Sequence, residues 1–147
     1  MTSRWRDRAV SFQSLPRWVR VWVLAILIPA NAAPFFLLDT PSGRAAALAS
    51  LIVVVGNVPI MLRERGMSRL MAIPHFIAWV PLIVYLIEMR SHAPFGTLSE
   101  AVLAWVLIVI NTISLGFDGF DLVRWWRGER AIPGQNLSSH SLGAHTR

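Results

Sequence analysis

The sequence predicts an all-α polytopic membrane protein, with four transmembrane helices in an up-down-up-down bundle and both termini cytoplasmic. Three observations predict it. The 147-residue chain is 54% apolar and only 15% charged, where a soluble domain carries about 25% charge. Its apolar residues gather into four uncharged runs. Its basic residues, 14 in all and every one an arginine, alternate between the connections around those runs.

The runs are Val21 to Leu38, Ala45 to Leu62, Leu70 to Ile87 and Ala101 to Phe117. A helix rises 1.5 Å per residue, so about 17–25 residues cross the ~30 Å of hydrocarbon. Each run meets that length. Because backbone in lipid must satisfy its own hydrogen bonds, helix is the expected form. Four such helices packed in water would leave no polar face to solvate. The transmembrane domain therefore covers residues 18–122, with spans at about 21–38, 45–62, 70–87 and 101–117.

Orientation follows from the arginines. Arg4, Arg6, Arg8, Arg17 and Arg20 precede the first run; Arg63, Arg65 and Arg69 lie between the second and third; Arg124, Arg127, Arg130 and Arg147 follow the fourth. The other two connections hold only Arg44 and Arg90. Short arginine-rich connections stay on the cytoplasmic side, which places the protein in a bacterial-type inner membrane with its N- and C-termini inside. The same distribution argues against nucleic acid, since the charge lies along membrane boundaries and not on one folded face.

Residues 1–17 form a basic cytoplasmic or interfacial segment, in which Trp5, Ala9 and Phe12 follow a helical spacing suited to the membrane surface. Basic residues followed by Val21–Ile28 and Ala30-Asn31-Ala32 also resemble a cleavable signal peptide. Hydrophobicity resumes at Phe35-Phe36-Leu37-Leu38, however, which favours a retained span. Trp18 and Trp22 at the first span, and Trp125 and Trp126 after the fourth, are expected as interface anchors. Residues 123–147 begin as a basic cytoplasmic segment. From Ala131 they become a polar tail without apolar period, expected to be disordered; its His140 and His145 are weak grounds for a metal.

Polar residues inside lipid are costly unless partnered. Counted along the runs, Asn57, His75, Asn111 and Ser114 all fall within about 4–9 Å of the cytoplasmic boundary. Asn111, Ser114, Asp118 and Asp121 recur at steps of three and four, which is one helix face. Ala46, Ser50 and Asn57 share a face of the second helix, where small residues permit close approach. These positions predict a cytoplasm-facing polar pocket of Asn57, His75, Asn111 and Ser114, with Asp118 and Asp121 at its mouth. The same residues are equally suited to hydrogen bonds that only tie helices together. His75 would then be satisfied by Asn57 or Asn111, and the aspartates paired with Arg124 or Arg63. Asn31 lies deeper. Pro29, Pro34, Pro59, Pro74 and Pro81 predict disturbed helices beside these groups.

The inventory excludes several chemistries. There is no cysteine, hence no disulfide, thiolate metal site or cysteine nucleophile. His75 is the only histidine within a span, so two axial haem ligands could come only from two copies of the chain. HExxH, P-loop, GxSxG and dinucleotide signatures are lacking. Asp39, Glu88, His92 and Glu100 are expected on short external loops, without the proximity that acid–base work demands. The expectation is a membrane protein with no enzymatic activity, no cofactor and no metal: an accessory, assembly or regulatory subunit whose partners are the bilayer and either further copies of itself or another membrane protein. The alternative is a small oligomeric transporter or channel built on the His75 pocket.

Overall fold

A computed structural model describes residues 12–64, 68–92 and 95–128. Among these residues the regular structure is entirely helical, and four helices are long and apolar enough to cross a membrane. Residues 1–11 and 129–147 lie outside the description, and with them Trp5, Ala9, His140, His145 and the tail from Ala131.

The first helix, α1 (Arg17–Phe36), is not uniform. An α-turn over Arg17–Val21 widens to a π-helical stretch at Trp22–Leu27, returns to α over Ile28–Ala32 and tightens to 3-10 at Ala33–Phe36. The prolines account for the changes. Pro29 brings no N–H and crowds the carbonyl four residues back, and the turn before it is the one that opens, with Ile28 N–H reaching back to Val23. Pro34 does the same at the far end, where the tighter turn closes the helix at Phe36. The apolar Leu37 and Leu38 therefore lie beyond the helix, although the uncharged run includes them.

Helix α2 (Pro41–Glu64) starts before its apolar run because its first turn is capped. Thr40 Oγ1 accepts from Gly43 N–H at 3.1 Å, with Pro41 in the first helical position, where a missing N–H costs nothing. Gly43 is required there, since a Cβ would overlap the carbonyl oxygen of Leu37. A single 3-10 turn, Arg69–Met71, capped by Ser68, leads into α3 (Ala72–His92). Helix α4 (Leu98–Trp126) opens on Thr97, whose hydroxyl accepts from Glu100 N–H at 3.1 Å. It stops at Gly128, whose φ of 93° terminates the helix in the left-handed region.

The core lies among α2, α3 and α4. Trp79, Leu82 and Leu86 of α3 pack between Ala46 and Ala49 of α2 and Leu103, Ala104 and Leu107 of α4. Small residues on α2 let one large indole fill the space between helices, and Trp79 is only 2% exposed. Helix α1 is peripheral: 11% of its apolar window is buried, against 33% for α3 and α4. Neighbouring helices run antiparallel. The start of α1 meets the end of α4 through Trp18 and Phe117, whose rings lie 5.6 Å apart, and the start of α3 meets the same end of α4 through Arg69 and Asp121. Arg17, Arg20, Arg63, Arg69, Arg124 and Arg127 thus share one end of the bundle.

Candidate functional site

Gly56 positions the site. A Cβ at that residue would lie 2.7 Å from both Cβ and Cγ of Pro74, so only glycine allows α2 and α3 this approach. The next residue on each helix gains from it: Asn57 Nδ2 donates to His75 Nε2 at 2.9 Å. The other ring nitrogen, Nδ1, faces Asp118 Oδ2 of α4 at 2.7 Å. With Nε2 accepting, Nδ1 carries the proton and donates to the carboxylate. The imidazole also stacks on Trp79 one turn along, with centroids 4.2 Å apart and planes 14° from parallel. One histidine is held on three sides by three helices.

Beyond this cluster, Asp121 meets Arg69 at 3.4 Å, with half of its side chain exposed. Two polar atoms beside His75 are buried without a partner, Asn57 Oδ1 and the indole Nε1 of Trp79. An acceptor and a donor are thus both open next to the imidazole.

The structure divides the expected pocket in two. Asn57, His75 and Asp118 come together, with Asp121 one turn further out. Asn111 and Ser114 belong to a different cluster, facing α1. Asn111 is fully buried and exchanges amide hydrogen bonds with Asn31, which donates at 3.0 Å and accepts at 3.4 Å. Asn31 Nδ2 also donates to the carbonyl of Leu27, and its own carbonyl accepts from Ser50 Oγ at 2.8 Å. Ser114 accepts from the indole of Trp22 at 3.2 Å. Through this bond Trp22, expected as an interface anchor, also ties α1 to α4. Trp18, 58% exposed, and Trp126, 82% exposed, stand outward as an interface anchor would; Trp125 is half-buried.

Glu100 corrects a further expectation. It lies on the first turn of α4 and not on an external loop, and it is 2% exposed. Its carboxylate accepts from the hydroxyl of Ser42 at 2.5 Å and from the backbone N–H groups of Ser42 at 3.3 Å and Gly96 at 3.1 Å. A negative charge at the start of α2 meets its orphan N–H groups and the positive end of its dipole. Glu88 and His92 instead face one another one turn apart, 3.6 Å away and largely exposed. Among the described residues no three metal-ligating side chains gather.

The sequence did not reveal the partners of Asn111 and Glu100. They lie 80 and 58 residues away, and an amide or a serine carries no signal of the group it will meet. No protein-family model, curated protein or solved structure matches this chain.

Proposed function

We propose that this chain is a non-catalytic integral subunit of a bacterial-type inner membrane, an accessory, assembly or regulatory partner of another membrane protein, with both termini cytoplasmic. The observation that carries the reading is the use made of the intramembrane polar groups. Asn31 with Asn111, Trp22 with Ser114, Asn57 with His75 and Asp118, and Ser42 with Glu100 all join one helix to another. Such pairs fix the register and rotation of helices that the hydrophobic effect cannot sort in lipid. Meanwhile α2 turns Leu48, Leu51, Val54, Val55 and Val58 outward, each at least 42% exposed. That surface suits lipid or the helix of a partner. Extraction in mild detergent followed by mass analysis of what co-elutes tests the reading. A stoichiometric membrane partner is expected; a pure homo-oligomer with transport activity contradicts it.

A specific observation supports a second reading, a small oligomeric transporter coupled to protons. Rotating the Asn57 amide by half a turn would present its unpartnered Oδ1 to a protonated Nε2, while Nδ1 keeps Asp118. The cluster can thus hydrogen-bond the imidazole in either protonation state. In proteoliposomes, His75→Gln would abolish a proton-linked flux under this reading. Under the subunit reading there is no such flux to lose.

A further inference from the structure

We propose that the groove at the start of α1 binds one anionic phospholipid, its phosphate held by Arg17 and Arg20 and an acyl chain lying along Val21, Leu24 and Ala25. The proposal rests on the bilayer placement of the proposed function and adds a specific ligand to it. The groove is open on one side, with a volume of about 540 Å³, and these five residues with Phe12 form most of its wall. Sequence order divides that wall by chemistry: the two arginines, whose stems add to a largely apolar lining, come first, followed by aliphatic side chains leading toward the middle of the bundle. No carboxylate lines it among the described residues.

The independent sign of a ligand is Arg20. Its Nε–H is buried and has no hydrogen-bond partner, and a buried donor left unmade is costly. A turn of the Arg20 side chain would bring that donor to a phosphate oxygen, and guanidinium groups bind phosphate through paired N–H bonds in a fixed fork. The depth is right for a headgroup. Trp18, on the same turn as the arginines, is exposed at the arginine-bearing end of the bundle, where indoles sit at the membrane–water boundary. The wider turn of Trp22–Leu27 carries the two aliphatic residues that continue the groove. A zwitterionic lipid also offers a phosphate, but it places a cation beside two arginines. The site therefore selects an anionic headgroup.

Native mass spectrometry of the full chain in neutral detergent, titrated with phosphatidylglycerol or phosphatidylcholine, tests this. One phosphatidylglycerol should be retained about tenfold more strongly than phosphatidylcholine, from two basic contacts near a membrane surface. Arg17→Gln with Arg20→Gln should erase the preference. Arg20→Lys, which keeps the charge but removes the Nε donor, should lose part of it. Leu24→Trp should weaken retention of both lipids by filling the groove, with helicity checked by circular dichroism in every variant. Equal retention of the two lipids overturns the proposal, as does selectivity unchanged in the double variant, or complete displacement of lipid by inorganic phosphate alone. Failure of the bilayer placement itself would look different: the chain would stay in solution without detergent.

Discussion

The imidazole of His75 joins three helices through opposite ring nitrogens, so its removal should loosen α2 from α3 and α3 from α4 together. A double-mutant cycle of His75→Ala and Asp118→Ala, read by unfolding in detergent, should give a coupling of about 0.6–1.7 kcal/mol, the range of interhelical polar pairs in membranes. A coupling indistinguishable from zero would mean that the 2.7 Å contact contributes nothing to the bundle. Gly56 offers a steric test of the same cluster. Gly56→Ala places a methyl 2.7 Å from the Pro74 ring, and overpacking of this kind costs about 1–3 kcal/mol. Gly116→Ala is the control. It meets nothing within 4 Å and, in a helix interior, should be neutral or stabilising by up to about 1 kcal/mol. Equal effects of the two substitutions would show that Gly56 does not set the approach of α2 to α3.

Among the elements, α2 depends on a residue 58 positions away for the hydrogen bonds of its first turn. Ser42→Ala removes one donor to Glu100 and should cost about 1 kcal/mol in the same unfolding assay; Glu100→Ala leaves buried N–H groups unmet and should cost about 1–3 kcal/mol. If Glu100→Ala proves the milder change, the carboxylate is not what holds the start of α2. The helices themselves were legible in the sequence because lipid imposes a single, long-range rule, that uncharged runs of sufficient length become helices. Their ends were less so. Thr40-Pro41 and Thr97 extend α2 and α4 beyond the apolar runs through local capping, and Pro34 stops α1 short of Leu37, neither of which hydropathy records. Facing was legible in part. The three-and-four spacing placed Asn111, Ser114 and Asp118 on one side of α4, but helix rotation gave the first two to α1 and only the third to His75.

For the whole molecule, the antiparallel order gathers the arginine-bearing ends of all four helices at one end of the bundle, with the buried Ser42–Glu100 contact at the other. Under the proposed orientation the arginine-bearing end lies in the cytoplasm, as the positive-inside rule expects. The absence of native cysteine makes topology directly measurable, because any cysteine introduced is the only one available to label. Single Asp39→Cys, His92→Cys and Gly128→Cys variants, treated in intact cells with a membrane-impermeant maleimide, test the threading. Positions 39 and 92 should label without lysis, and position 128 only after it. Labelling of position 128 in intact cells, or equal labelling of all three positions, would contradict a four-span bundle with its arginines inside.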